Sequence, residues 1–369
     1  MTDLASGNRR SFAYRQTALA ALLAGAMLLY MFRIHGPVFW NFMLTAYGLG
    51  ILIYFWEKRH HPELAKTSCI DYLFPKTIWL HRSSLDDGLI ALIFYGTAIL
   101  PLIGRPSIWQ AVRTSMFHAP IFHATAAAGP AFGIMIFYTL LSIMVADLFY
   151  YVSHRLMHTI PFLWEFHKVH HSAEVLTPLT MYRMHPVDGL FTAMARELGV
   201  ALTGLIFLYF YPHATTVKLI AGIGVMTFVS TFTNVSLRHS HIWLSFGSAI
   251  EHVFISPAQH QIHHSIERKH INKNYGSIFS LWDWMFNSLY VPQGRETITF
   301  GLGGYEPETR YQTVVDLLVG PFLSPFKKFA ARLPRSGLRP DLLAQQIDRH
   351  EAAAAVGIEA PEGPAVTSR

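Results

Sequence analysis

The sequence predicts an all-α fold, a polytopic membrane helical bundle with a helical cap on its cytoplasmic face. Three observations carry that reading. Hydrophobic residues make up 51% of the 369 and charged residues 14%, with a mean hydropathy of +0.29, which is apolar for a soluble domain of this size. The apolar residues gather into runs that contain no Asp, Glu, Lys or Arg. Histidines cluster at the ends of those runs.

The runs are residues 17–32, 37–56, 88–104, 124–146, 198–217 and 219–237. About 20 helical residues cross about 30 Å of hydrocarbon, and the short first and third runs reach that length with their flanks or a small mismatch. Arg9, Arg10 and Arg15 precede the first run, and Lys58, Arg59, Lys66, Lys76 and Arg82 follow the second. Segments 33–36 and 105–123 carry only Arg33, Arg105 and Arg113. Cytoplasmic flanks are the ones enriched in Lys and Arg, so residues 1–16 read as a cytoplasmic N-terminus and 57–87 as a cytoplasmic connection. The fourth run then returns to the cytoplasm near residue 150, and the last two form a hairpin turning near Tyr211-Pro212-His213. Segments 153–188 and 240–290 become helical and cytoplasmic, with Trp243, Phe246, Trp282, Trp284, Phe286 and Tyr290 at the membrane interface.

Residues 17–330 thus read as one membrane domain. The tail 331–369, rich in Ala, Pro, Arg and Glu without apolar periodicity, is expected to be disordered. The net charge of +6 sits at the ends of the runs, which suits lipid headgroups and argues against a nucleic-acid partner. A single cysteine, Cys69, excludes an intramolecular disulfide, a Cys-x-x-Cys zinc site and an iron–sulfur cluster. Run 17–32 reads as a retained anchor because a second run follows it and no convincing cleavage site does.

Ten of the 21 histidines fall into three boxes and two outliers between residues 154 and 264. His154-x-x-x-His158 comes first, then His167-x-x-His170-His171, then His260-x-x-His263-His264, with His185 and His239 between the last two. Residues three and four apart share a helix face, so each box aims its imidazoles one way. One such pair is common on surfaces. Histidines merely lining a polar interface have no reason to repeat His-x-x-His-His, and by the topology above every box lies on one side of the membrane. Imidazole suits zinc, copper and iron. Ten convergent histidines exceed the three or four that one zinc takes and suit a dimetal site.

Asp147–His158 with Tyr150 and Tyr151, Trp164–Ser172, Arg183-Met184-His185-Pro186, and Ser256–Ser265 leading into Asn274-Tyr275-Gly276 and Leu281-Trp282-Asp283 resemble the fatty acid hydroxylase and sterol desaturase superfamily. The resemblance covers about residues 130–320. It implies an integral-membrane, multi-pass, non-haem di-iron oxygenase with its site on the cytoplasmic face, using O2 to hydroxylate or desaturate a C–H bond of a lipid such as a sterol or fatty acyl lipid. It implies two Fe held by His154, His158, His167, His170, His171, His239, His260, His263 and His264, with His185 a ligand or an adjacent group. The chain reads His239-Ser240-His241 where similar sequences have His-Ser-Asn, which leaves His241 open as a further ligand. With no fused haem, flavin or cysteine motif, the electrons come from an external donor, a reductase with a ferredoxin or cytochrome.

Asp147, Glu165, Glu174, Asp188 and Asp283 are candidates to accept the second ring N–H of the ligating histidines, with all but Asp147 expected at the solvated surface. Arg155 is placed to pair with Asp147 or a lipid headgroup. Tyr150 and Tyr151 read as interface anchors, and His252 and His270 as possible helpers beside the third box. Glu57-x-x-His60 and Glu267-x-x-His270 fit the soluble di-iron pattern literally but leave the three boxes unexplained. No His-Glu-x-x-His protease motif occurs. The alternative of a non-catalytic, His-ligated haem or metal-binding membrane transporter would place histidines in mid-span.

Overall fold

The computed structural model describes residues 36–96, 132–210, 219–220, 223–224, 229, 235–303 and 313–332. The expected N-terminus 1–16, run 17–32, the outer loop 105–123, the turn at 211–213 and the tail beyond 332 lie outside them. Two compact units are formed, Met1–Phe322 and Leu323–Arg369.

The described helices are α1 (Gly36–His60), α2 (Cys69–Leu73), α3 (Lys76–Trp79), α4 (Arg82–Gly96), α5 (Phe132–Thr159), α6 (Pro161–His171), α7 (Pro186–Phe210), α8 (Val235–Arg238), α9 (Ser248–Glu251), α10 (Pro257–His263), α11 (Leu281–Met285) and α12 (Val314–Arg332). The run 37–56 falls within α1, and the part of 88–104 that is described falls within α4. Within run 219–237, expected as a membrane helix, the described residues show Leu219–Ile220 paired antiparallel with Ile223–Gly224, a helical Val229 and the single turn α8.

Phe132–Thr159 and Pro186–Phe207 are long and apolar enough to cross a membrane, and only 28% and 22% of their most apolar stretches are buried in the protein. A core helix of a soluble protein would hide most of that surface, so these outward-facing helices mark a membrane protein. They pack side by side. Tyr138 stacks on Phe207 with ring centroids 4.5 Å apart, and a Cβ at Gly199 would stand 2.9 Å from the Ala146 Cα, so glycine there permits the close crossing.

Helix α5 is about 42 Å long at 1.5 Å per residue, longer than a hydrocarbon layer is thick, and His154 and His158 lie in its last two turns. The chain reverses at Ile160, and Pro161 opens α6 in the first helical turn, where a missing N–H costs nothing. Helix α10 is started by a reciprocal cap in which Ser256 accepts from Gln259 N and the Gln259 side chain accepts from Ser256 N. The Ser256 hydroxyl also donates to buried Glu251 at 2.6 Å. Such fixings hold a seven-residue helix that propensity alone would not.

Candidate metal centre

The repeated His-x-x-His-His boxes have a geometric consequence. On α6, His167 and His171 stand one turn apart on one face while His170 is rotated onto the next. The structure sends His167 and His171 to one cluster and His170 to another. On α10 the assignment is reversed, with His260 and His264 in the second cluster and His263 in the first. His154 and His158 from α5 complete a first group of five; His239, just past α8, completes a second group of four. Within each group the ligand atoms lie within 4.8 Å of one another, and the groups adjoin through His171 and His264, whose rings stack at 4.5 Å.

Nitrogens bound to one metal at about 2.0–2.1 Å stand roughly 2.9–3.4 Å apart at octahedral or tetrahedral corners. In the second group His239, His260 and His264 form a triangle of Nε2 atoms with sides of 3.0, 3.2 and 3.2 Å, and His170 Nε2 lies 3.1 Å from that of His239. In the first, His167 Nε2 is 3.0 Å from His154 Nε2 and 3.2 Å from His171 Nε2. The buried Nε2 atoms of His158 and His263 have no hydrogen-bond partner among the described residues. These spacings and orphaned nitrogens fit two metal ions.

The ring orientations are set from behind. His154, His170 and His263 direct Nδ1 at the carbonyls of Tyr275, Arg183 and Lys273, at 2.7, 3.1 and 2.8 Å, and His167 directs Nδ1 at Asp188 Oδ2, at 2.8 Å. An oxygen there takes the Nδ1 proton and leaves the Nε2 lone pair facing the cluster. Burial first, and neighbouring imidazoles second, hold His171, His239, His260 and His264 well below the usual histidine range. Burial likewise pushes His170 down to about 4 and His263 to about 3. All six are therefore neutral at pH 7, the form in which imidazole can bind a metal.

His185 is not brought to either group. Its Nε2 is 3.0 Å from the Leu318 carbonyl, its Nδ1 accepts from Val187 N at 3.1 Å, and its ring lies between Phe166 and Phe322. Both ring nitrogens are occupied by backbone. His241 also turns away, donating to the Tyr72 carbonyl at 2.7 Å. His252 points back at Ser248 O. Neither Glu-x-x-His pair reaches the clusters: Glu57 is bonded to Tyr72 and Arg295, and His270 to Ser265 and Glu296.

The carboxylates differ from expectation. Of those expected at the solvated surface, Glu165, Asp188 and Asp283 are buried and only Glu174 is exposed. Glu165 pairs with buried Lys168. Asp147 does not touch an imidazole; it accepts from Ile278 N, Phe279 N and Trp282 Nε1, while Asp283 accepts from Tyr275 N, Gly276 N and the Ser288 hydroxyl. Together they fix the loop whose Tyr275 carbonyl orients His154. A Cβ at Gly276 would meet Phe279 O at 2.3 Å, so the tight loop needs glycine there. Trp282 and Tyr290, expected at the interface, serve this inner framework, whereas Trp284 and Phe286 are exposed. Tyr151 bonds Ser288, and Arg155 donates to Tyr151 and to Phe286 O instead of Asp147.

A residue that sequence reading passed over is Arg183. Fully buried, it donates to Asp87 Oδ1 at 2.8 Å and to Val169 O and Ser172 Oγ, so the carbonyl that orients His170 is anchored to α4. Its signal was its place two residues before His185. A cavity of about 360 Å³ opens over the first group, walled by His158, His171, His263 and His264 with Trp164, Ile266 and Leu302.

The fatty acid hydroxylase family profile matches residues 139–288, a span that contains all nine clustered histidines. That stretch of the chain is similar to the fatty acid hydroxylase family. The chain is 28% identical over 156 residues to an alkylglycerol monooxygenase of Caenorhabditis elegans, covering 42% of this chain and 28% of that one. It is 29% identical over 171 residues to the ornithine lipid hydroxylase OlsE of Rhizobium tropici, covering 46% and 47%. To a Delta(7)-sterol 5(6)-desaturase of Saccharomyces cerevisiae it is 23% identical over 221 residues, covering 60% and 54%. The chain thus spans about half or less of the length of these relatives. No solved structure matches it.

Proposed function

We propose that the protein is a multi-pass membrane oxygenase that uses two iron ions and O2 to hydroxylate or desaturate a C–H bond of a lipid, with its site on the cytoplasmic face. The observation that carries this reading is the delivery of nine imidazoles into two adjoining, buried groups at the end of a long apolar helix. Bound iron would supply the reductive activation of O2 that an unactivated C–H bond requires. His154, His158, His167, His171 and His263 would hold one ion, and His170, His239, His260 and His264 the other. Among the described carboxylates, Asp188 is the one hydrogen-bonded to a clustered histidine, behind His167.

The chain's own groups do the rest. The Tyr275, Arg183 and Lys273 carbonyls keep their histidines in one tautomer. Trp164, Ile266 and Leu302 supply an apolar wall on which an acyl or sterol surface can displace water, protecting the reactive centre. Lipid reaches it from the bilayer beside α5, and electrons arrive from a separate reductase with a ferredoxin or cytochrome. The relatives are named for lipid hydroxylation and sterol desaturation, which supports a lipid substrate here. A transporter is disfavoured because the histidines cluster at a helix end in a closed cap.

The test is metal content by elemental mass spectrometry of gently solubilised protein beside His170→Ala and His263→Ala, followed by lipid analysis of expressing cells supplied with isotopically labelled dioxygen. Iron close to two per chain that falls in both variants, with label entering a lipid only in the wild type, is expected. No transition metal in wild-type protein from iron-replete cells would overturn the proposal.

A further inference from the structure

Behind the third box lies a chain of polar contacts that the metal groups do not use. Ser265 follows His264 and lines the cavity beside His158 and His263. Its Oγ is 2.8 Å from His270 Nδ1, and His270 Nε2 is 3.1 Å from Glu296 Oε2. The Glu296 carboxylate accepts from the Tyr290 hydroxyl at 2.9 Å and pairs with Lys269. Burial falls along the path: the His270 side chain is 0% exposed, that of Glu296 15% and that of Lys269 54%. His270 stands outside both histidine groups. The groups facing it are Glu296, Lys269, the Tyr290 ring at 4.9 Å and the Glu267 carboxylate, whose Oε2 is 4.0 Å from Nδ1.

We propose that Glu296, His270 and Ser265 form a proton relay from the surface to the cavity above the first histidine group. The inference rests on the oxygenase reading. Inserting one atom of O2 into a C–H bond and releasing the other as water consumes two electrons, from the external donor, and two protons, from solvent. An apolar substrate that fills the cavity shuts out the water that would carry them. In the delivering tautomer His270 Nδ1–H donates to Ser265 Oγ and Nε2 accepts from the protonated Glu296 carboxyl. For each proton delivered, the Ser265 hydroxyl gives its hydrogen to an acceptor in the cavity and takes the Nδ1 hydrogen, Nε2 takes the Glu296 proton, solvent reprotonates Glu296, and exchange between the two imidazole tautomers resets the ring. No net charge stays on Ser265, and no electron moves in these transfers. Lys269 and Tyr290 hold the outer carboxylate in place. The backbone N–H of Glu267 donates to Ser265 Oγ at 3.2 Å, which fixes the hydroxyl between cavity and imidazole.

The experiment compares wild type with Ser265→Ala and His270→Gln in two ways. In the metal-free protein, nitrogen NMR of labelled histidine reads His270 directly: Ser265→Ala is expected to move the Nδ1 resonance and leave Nε2 in place. In iron-loaded, dithionite-reduced protein mixed with oxygenated buffer, both variants are expected to keep the wild-type iron content and to reoxidise ten-fold or more slowly, within the range general acids supply. The slowing should deepen as pH rises, and added imidazole should restore His270→Gln. Should His270→Gln lose iron, Ser265→Ala carries the test, because it removes one oxygen and no ring. Iron-replete Ser265→Ala that reoxidises at the wild-type rate with an unchanged pH profile, or a His270 Nδ1 resonance indifferent to the substitution, overturns the relay and leaves the oxygenase reading standing. Wild-type protein that takes up no iron overturns both.

Discussion

The two histidine groups are built from the same boxes and yet supported differently. Three of the five rings in the first group are held by an oxygen on Nδ1, one of them the buried Asp188 carboxylate, and three line the cavity. In the second group His170 leans on a carbonyl, while the Nδ1 atoms of His239 and His260 have no partner among the described residues. Their rings are fixed by packing on each other. The first group is thus orientated in advance and borders the cavity with three rings, while the second reaches it through His264 alone and keeps two ring nitrogens without a partner among the described residues. Because α6 and α10 each serve both groups, neither can move without disturbing the other.

The largest expected effect separates the groups. His263→Ala should empty the first and leave the second, and His260→Ala the reverse, each halving metal content by elemental mass spectrometry, while the double variant binds none. If either single substitution released both ions, the groups would be one cooperative unit and the comparison would fail.

Acid should separate them next. His170 and His263 have folded pKa values near 4 and 3, below the unfolded value of 6.5, so between these limits the unfolded chain binds protons that the native state does not. Stability of the metal-free protein is therefore complete above about pH 6.5 and falls as pH drops, flattening near 4 for His170 and near 3 for His263, with His170 alone contributing on the order of 3 kcal/mol. Thermal unfolding between pH 7 and 4 checks this. A transition temperature constant over that interval would mean that the rings are solvated and not packed. A smaller effect is expected of Asp188→Asn, which should weaken metal at the first group roughly 10- to 100-fold and spare the second, as read by competition with a chelator. Equal weakening at both would remove the distinction drawn from Asp188.

How much of this was legible in sequence follows from the range of the interactions. The boxes and the helices that carry them are local, so the sequence pointed to ten histidines, nine of which converge. The division into two groups was not legible, since it depends on how α6 and α10 face each other. Nor were the supports: Asp147 meets Ile278, and Arg183 meets Asp87, contacts that no local pattern encodes. Glu165, Asp188 and Asp283 were misplaced at the surface because carboxylates are seldom buried without partners, and their partners are distant in sequence or are backbone N–H groups. His185, read from its motif as a ligand or an adjacent group, stands outside both groups because its ring nitrogens meet the backbone of Leu318 and Val187.

His185 provides the smallest and sharpest test. With both ring nitrogens bonded to backbone and the ring between Phe166 and Phe322, it ties the chain entering α7 to the Leu318 carbonyl. His185→Gln should then cost about 1–2 kcal/mol of stability through lost hydrogen bonds and packing, leave metal content unchanged, and affect both groups alike. His241→Gln, which gives up one bond to Tyr72 O on a half-buried ring, should cost less and also spare the metal. A His185 variant that lost one ion as fully as His263→Ala would return His185 to the ligand set, and the first group would then owe its order to a sixth ring and not to the oxygens behind three of the other five.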